Sequence, residues 1–567
     1  MKNIKKMILT LAGLFALQTA TIMAQTEWKE RVSAMMAKLT VEEKIDLLCA
    51  KGPAIPRLGI PAYDWWNECL HGVARAGKAT VFPKPIGMGS MWDAELMKRI
   101  GDVVSDEARA KYHKALRDKG YSDRYEGLTF FSPTLNLARD PRWGRTSECF
   151  SEDPRLTGDM GAAFIRGLQG DDPRYLKLVA TAKHFVANNE ENRRRDGSSD
   201  VDEVSLHEYF FPAFKESIEK GGATSVMGAY NALNGTPCCA NHYLLTEVLR
   251  EQWGLDGVVM SDGSAVTNIS ALHKYKATYH EGAAAALLAG CDMSLRDEYR
   301  DGLRYALREN LVSVNDINRA VERVLTLRFR LGMFDPQEQV PYSRIPDTIV
   351  ECAAHRQLAL EAAHKSMILL KNNGILPLNS KKIKRIALIG DAFTQVYYGD
   401  YSGRPEYNTT LLEAIKTAAG KDTELLWVND GDKEATIPSI YLMRPEKDAY
   451  DGRLGFTGEY FNKNATEGDA LISKHDLSLD FLPAGNHDLL KTPALSARWT
   501  SSLAPPSTGD YTLIYEGEGF VKIYLDGRSV TEQKVDPRHP ATAQVRLDAG
   551  KKYDLRIECT GINKQVR

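Results

Sequence analysis

Leu178-Val179-Ala180-Thr181-Ala182-Lys183-His184-Phe185-Val186 and Gly257-Val258-Val259-Met260-Ser261-Asp262 share one construction: a short apolar run that arrives at charged or polar side chains. A continuous apolar run of this length fits a strand buried on both faces, as in a parallel sheet covered by helices. Carboxylate, ammonium and imidazole groups at such strand ends must face solvent or a polar pocket. Thr129 to Leu137 and Thr224 to Tyr230 are two further runs of the kind. Amphipathic helical stretches lie between them, among them Ser205 to Lys220 after Asp202 and Thr246 to Gln252 before the Gly254 turn. Residues 25–334 are therefore expected to form a (β/α) TIM-like barrel, because polar residues follow the ends of several separate strands.

Outward from this region the pattern changes twice. A Pro-rich and polar stretch at 335–346 reads as a linker. Residues 347–450 read as the first part of an α/β sandwich domain. Val350, Ala354, Leu358 and Ala362 recur at helical spacing, and a strand at Arg385 to Gly390 and a helix at Leu411 to Ala419 follow. So short a domain suggests that something interrupts it. Residues 451–567 read as an all-β sandwich with strands at Tyr511 to Tyr515, Val521 to Leu525 before Asp526-Gly527, Ala543 to Leu547 and Tyr553 to Cys559. The sheet is expected to be incomplete at the C-terminal end.

The whole chain has 567 residues, of which 43% are hydrophobic and 26% charged, which excludes a disordered or disulfide-scaffold protein. Its 73 basic and 75 acidic residues leave no excess positive charge for a nucleic-acid partner. Residues 1–24 read as a signal peptide, with Lys2, Lys5 and Lys6 before an apolar stretch and Ala24 at the expected cleavage site. Removing them takes the formal charge from -2 to -5 and places the product in a periplasm or outside the cell, with no membrane attachment. Eight cysteines, Cys238 and Cys239 adjacent, read as small buried thiols. No metal-ligand spacing and no phosphate-binding glycine loop is present, so no metal and no cofactor is expected.

Five polar clusters fall at the ends of expected strands: Asn67 to Gly72, Asp140 to Arg145, Lys183 to Phe185, Tyr230-Asn231, and Ser261 to Gly263. Each alone has a structural reading. Asp262 could equally cap the next helix. Together, Lys183, Arg145, Glu68 and Asp262 at one barrel mouth would suit a hydroxyl-rich ligand while keeping one carboxylate ionised.

These residues resemble glycoside hydrolase family 3. The resemblance rests on W-W-N-E-C-L-H-G from Trp65, A-R-D-P-R-W-G-R from Ala138, S-E-D-P from Ser151, K-H-F from Lys183, M-G-A-Y-N from Met227, N-G-T-P-C-C-A from Asn234 and G-V-V-M-S-D from Gly257. It continues through A-L-E-A-A-H-K-S-M-I-L-L-K-N from Ala359. G-E-Y-F from Gly458, Ala497-Arg498-Trp499 and Tyr524-Leu525-Asp526-Gly527 are similar to a protective-antigen-type β-sandwich that some members carry inside their second domain. The resemblance implies a retaining exo-β-glycosidase, with one carboxylate attacking the anomeric carbon and an acid protonating the leaving oxygen. It implies that Asp262 is the nucleophile and that Glu68 binds glycone hydroxyls. Arg145, Lys183, His184 and Tyr230 match further glycone contacts, Tyr230 beside the nucleophile, and Arg139 and Arg194 match others.

Two positions depart from the family pattern. Gly263 stands where members often have an aromatic residue for the leaving group. The acid/base glutamate of members with the inserted sandwich lies after the insertion, and this sequence is expected to end within it. Lys183-His184-Phe185-Val186-Ala187 does not match the K-H-F-P-G-H-G loop that carries the acid in single-domain members. Glu68, Glu148 and Glu190 are poor substitutes for that acid. Glu68, where many glucosidases have Asp, and P-C-C-A favour a β-D-xylosidase over a β-glucosidase. The reading from another class is a catalytically silent sugar-binding chain. For the sandwich, the bland reading is a structural wall without calcium, since Glu516-Gly517-Glu518-Gly519 replaces paired aspartates. An oligosaccharide is the expected partner, and the sequence leaves the oligomeric state open.

Overall fold

The structure is a computed structural model and describes residues 27–567 apart from 380–381, 391, 394–395, 400, 429–441, 444–455, 462, 477–494, 506, 537–538 and 563–567. The expected signal peptide and the expected module boundary at 451 lie outside the described residues. The chain divides into two compact units. One reaches to Lys371 and includes Tyr398–Glu406, and the other comprises Asn372–Tyr397 and Tyr407 onward.

In the first unit, β1 (Lys51–Gly52) and β2 (Tyr63–Asp64) pair antiparallel. β3 (Thr129–Phe130), β4 (Val179–Phe185), β5 (Ser225–Gly228) and β6 (Val258–Ser261) form one parallel sheet in chain order. Single parallel bridges extend it: Asn67 to Phe130, Met260 to Met293, and Ser294 to Cys49. The Ala50 N–H donates to the Ser294 carbonyl and the Trp65 N–H to the Ala50 carbonyl, both at 2.9 Å, so the hydrogen-bonded path returns to its start. Every residue of β3 to β6 is buried, as two-faced burial of the apolar runs requires. Gly257 lets β6 approach the strand beside it, because a Cβ there would stand 2.0 Å from the Thr224 carbonyl oxygen.

Three expectations need correction. The strand expected from Thr129 to Leu137 pairs regularly only over Thr129–Phe130, since Pro133 has no N–H to give the ladder; Thr134 then bridges Lys183 alone. The helix expected over Ser205 to Lys220 is broken into Glu203–Ser205, a wider turn at Leu206–Phe210, and Pro212–Glu219, with the proline at the break. The 335–346 stretch is not where the units part. Val340 is fully buried, the Arg109 guanidinium covers Tyr342 at 5.2 Å, and the helix Ala353–Ser366 pairs His355 Nδ1 with Glu107 at 2.8 Å inside the first unit.

The second unit opens with parallel strands Arg385–Ile389 and Glu424–Val428 joined through the helix Leu411–Ala419, whose Thr410 and Glu413 form a capping box. Seven antiparallel strands follow: Leu442–Met443, Phe456–Phe461, Ile472–Asp476, Leu495–Leu503, Gly519–Leu525, Arg528–Val535 and Tyr553–Ile562. A ribbon of Gly509–Tyr515 and Ala541–Leu547 shares one core with them around Tyr460, Trp499, Tyr511 and Tyr515. The Asp526-Gly527 turn has φ of +49° and +77°, the left-handed pair that a two-residue hairpin demands. All eight cysteines are free, and all but Cys352 are buried. Among the described residues no helix is long and apolar enough to cross a membrane, and no three His, Cys, Asp or Glu side chains could hold a metal ion together.

Candidate active site

Asp262 follows the last residue of β6 and donates its backbone N–H to the Gly228 carbonyl at 3.1 Å, which fixes it beside the end of β5. It does not cap the helix Ala265–Ala271, whose cap position is Ser264. Its Oδ1 accepts the Gly263 N–H at 2.6 Å, and its Oδ2 lies 3.7 Å from His184 Nε2.

His184 and Lys183 are neighbours on β4, where a regular strand would send them to opposite faces. Here the ladder to β5 passes from Ala182–Val226 directly to Phe185–Gly228, and that irregularity lets both side chains reach the polar cluster. Lys183 Nζ donates to Glu68 Oε2 at 3.1 Å, with both side chains almost fully enclosed. Burial pushes the Glu68 carboxyl upward against the pull of Lys183. Burial opposes the ammonium of Lys183 too, yet the Glu68 carboxylate raises it, so the pair holds its proton firmly. Arg145 forks onto Glu148, Nε to Oε1 and Nη2 to Oε2 at 2.8 Å each.

The tautomer of His184 follows from Asn136. Asn136 Oδ1 accepts the His184 backbone N–H at 2.9 Å and lies 3.1 Å from Nδ1, while Asn136 Nδ2 donates to the His184 carbonyl at 2.9 Å. With its oxygen so placed, Asn136 Oδ1 accepts a hydrogen bond from Nδ1–H, which keeps the proton on Nδ1. Burial, then Arg145, Lys183 and Arg194, hold the imidazole well below its usual range, so it is neutral and Nε2 presents a lone pair. Burial and the adjacent Asp262 carboxylate raise Tyr230 well above the ordinary phenol, which keeps its hydroxyl proton in place.

Glu68, Arg145, Lys183, His184, Tyr230 and Asp262 thus meet in one cluster, and Arg194 joins its edge, with the guanidinium 5.1 Å from the Tyr230 ring centre and paired to Glu191. Arg139 does not join. Its guanidinium stands over Tyr209 and Phe210, and it lines a cavity of about 380 Å³ with Asn136, Asp140, Trp143 and Glu190. Asp140 grips its own Arg142 on the surface, and Asp153 of S-E-D-P caps the helix Pro154–Gln169. Those two motifs are therefore partly structural.

Two members of the cluster escaped the sequence reading. Asn136 sits inside what reads as a strand and bears no charge. Tyr401 lies far along the chain, its ring 4.9 Å from both Lys183 Nζ and the Arg75 guanidinium. The signal for Tyr401 is Gly403, where a Cβ would stand 2.7 Å from both Ala79 Cβ and the Val73 carbonyl oxygen, marking a close passage of the chain.

Comparison with known proteins bears on this arrangement. Residues 38–327 match the model of the glycosyl hydrolase family 3 N terminal domain and residues 367–563 that of the glycosyl hydrolase family 3 C-terminal domain. The chain is 32% identical over 541 residues to a xylan 1,4-beta-xylosidase of Xylanibacter ruminicola, covering 93% of this chain and 62% of that protein. It is 36% identical over 414 residues to a probable beta-D-xylosidase 7 of Arabidopsis thaliana, covering 68% of this chain and 53% of that one. The chain thus spans between half and two thirds of the length of these relatives. A solved β-glucosidase from Kluyveromyces marxianus in complex with glucose shares the fold, at a TM-score of 0.76 and 24% identity, over 94% of this chain and 64% of that one.

Proposed function

The chain belongs to glycosyl hydrolase family 3, and on that premise we propose that it is a retaining exo-β-glycosidase. It takes terminal sugars, β-D-xylose foremost, from the non-reducing ends of β-linked oligosaccharides. One observation carries the reading: of the cluster's carboxylates, Glu68 and Glu148 are each ion-paired to a cation, whereas Asp262, among the described residues, pairs with no Lys or Arg and lies against a neutral imidazole and a tyrosine. A carboxylate at a strand end that is not tied up in an ion pair with a lysine or arginine is fit to attack an anomeric carbon.

In the first step an Asp262 oxygen bonds to the anomeric carbon while the bond to the aglycone oxygen breaks. A water molecule then adds its hydroxyl to the anomeric carbon as the glycosyl ester bond breaks, which restores Asp262, and the proton it gives up balances the one the departing aglycone oxygen takes from solvent. Gly263 and Tyr230 orient the nucleophile, Lys183 and Glu68 donate to and accept from sugar hydroxyls, and His184 Nε2 accepts a hydrogen bond from one more hydroxyl. No residue of this cluster is assigned as the acid that protonates the leaving oxygen, because Glu68 and Glu148 are committed to their cations.

The finer architecture follows the same premise. The closed path of strands reads as the (β/α) barrel, with an antiparallel first pair, and the β-rich part as a sandwich inserted in the second domain. That the C-terminal family model spans both the α/β strands and the β-rich part supports the insertion. Export, with residues 1–24 as the signal, suits a substrate outside the cell. For the sugar, the longer Glu68 side chain and the xylosidase names of relatives at 32–36% identity favour xylose.

The test is covalent trapping with an aryl 2-deoxy-2-fluoro-β-xyloside. Label on the peptide containing Asp262 is expected, and label on a different carboxylate refutes the assignment. Against matched aryl glycosides the xyloside should exceed the glucoside by about 10- to 200-fold in kcat/KM, the scale of one hydroxymethyl group in a fitted pocket.

A further inference from the structure

We propose that the leaving-group side of this site selects an aglycone bearing a carboxylate, and that Arg296 is the residue that recognises it. The inference rests on the glycosidase reading and specifies its substrate. The segment that pairs Met293 with Met260 runs beside β6 and emerges at the same end as Asp262. Three residues after Met293, Arg296 places its Nε 3.6 Å from where a Cβ on Gly263 would stand. Gly263 is the residue whose N–H holds Asp262 Oδ1. A guanidinium therefore sits beside the nucleophile, in the space that the missing side chain of Gly263 leaves open.

Its surroundings show what it lacks. Every cation described so far around Asp262 has a carboxylate of its own: Lys183 has Glu68, Arg145 has Glu148, and Arg194 has Glu191. Trp66, next to Asn67 and Glu68, carries two guanidinium groups, Arg124 at 4.7 Å from its ring centre and Arg296 at 5.6 Å. Arg124 is tied to Asp64 at 3.0 Å. Arg296 is exposed, and among the described residues its guanidinium makes no ion pair and donates no hydrogen bond. Glu298 accepts its backbone N–H, and its carboxylate acts on the guanidinium through space without an ion pair or a hydrogen bond to it. Arg195, 5.7 Å from the Tyr230 ring centre, is a second cation without an ion pair among the described residues and adds to the positive field.

The stack on Trp66 restricts the guanidinium without satisfying it. Five N–H donors in a planar fork match a carboxylate bidentately, and a neutral sugar hydroxyl uses the fork poorly. The substrate class that completes the arrangement is a β-glycoside whose leaving group is anionic, such as an oligosaccharide with an acidic sugar or an oxidised reducing end.

The experiment uses two aryl β-xylosides with nitrophenol leaving groups, identical except that one carries a carboxylate ortho to the nitro group and the other a carboxamide. The readout is the carboxylate-to-carboxamide ratio of kcat/KM in wild type, Arg296→Met and Arg296→Lys. Comparing ratios between proteins cancels the electronic difference between the two leaving groups, and a variant that merely folds poorly lowers both rates together. Arg296→Met should lower the ratio by about 10-fold or more, and Arg296→Lys should keep part of it because charge survives without the fork. The wild-type ratio should also fall as salt is raised. An unchanged ratio in Arg296→Met overturns the inference and leaves the glycosidase reading standing. Absence of cleavage of either glycoside, with no trapping at Asp262, overturns both.

Discussion

The strands around Asp262 and the strands between Phe456 and Ile562 are built on opposite principles. β4 is buried at every position and still places Lys183 and His184 out of water, beside the buried Glu68 and the somewhat more open Asp262. The β-rich strands alternate inward and outward residues, and among the described residues no charged residue of theirs is buried. Burying charge costs several kcal/mol per ion before any pairing offsets it, so a fold carries such a cluster for a reason other than stability. The contrast supports the proposal that the chemistry lies in the first unit.

The largest effect should come from the group that stability does not require. Asp262→Asn keeps the shape and an acceptor for the Gly263 N–H, but removes the attacking charge. Steady-state rates on an aryl xyloside should fall by about 10³-fold or more while the fold persists. A variant that retains a tenth of the rate would mean the nucleophile is elsewhere and the contrast between the regions is misread.

Next comes stability. Lys183→Met strands the Glu68 carboxyl in the core and should cost about 3–5 kcal/mol, and adding Glu68→Gln should recover part of the loss. In the β-rich core, Trp499→Ala should cost a similar amount, about 3–5 kcal/mol, through a cavity instead of a charge. No second substitution of a charged neighbour should rescue it. Denaturant titrations of the four proteins check both claims, and rescue of Trp499→Ala by altering Glu459 or Arg498 would erase the distinction.

How far the sequence discloses this contrast depends on what each signal measures. Apolar runs report burial, and burial of β4 and β6 is what makes Lys183 and Asp262 conspicuous. Hairpin chemistry is just as local, so Asp526-Gly527 marks the turn between Gly519–Leu525 and Arg528–Val535. Composition is a poorer guide to boundaries. The Pro-rich stretch at 335–346 reads as a linker, yet the buried Val340 ties it to the first unit, because proline marks a change of direction and says nothing about packing. Tyr401 arrives from a segment that belongs by sequence to the next domain, and apart from the nearby Gly403 it is tertiary contact that reveals it. Arg139 enters the reading through its motif alone, and its guanidinium is drawn instead to Tyr209 and Phe210.

The smallest expected effect concerns protons. Burial, with Arg145, Lys183 and Arg194 around it, keeps His184 neutral when folded, whereas in the unfolded chain it titrates near its ordinary value of about 6.5. Below that pH the unfolded chain binds a proton that the folded one refuses, so stability falls as pH falls, by up to about 1.4 kcal/mol per pH unit for one histidine. His113, pushed down to about 3 by burial and by Arg109, adds a similar slope. Replacing each by Gln in turn should flatten the dependence of the denaturation free energy between pH 7 and 5 by up to one proton. Only His184→Gln should also weaken sugar binding, since Nε2 of His184 faces Asp262 and His113 lies against Arg109. A slope unchanged in His184→Gln would mean that the imidazole is charged in the folded protein. Its contact with Asp262 would then be an ion pair, and the nucleophile would have lost the isolation that sets it apart from Glu68 and Glu148.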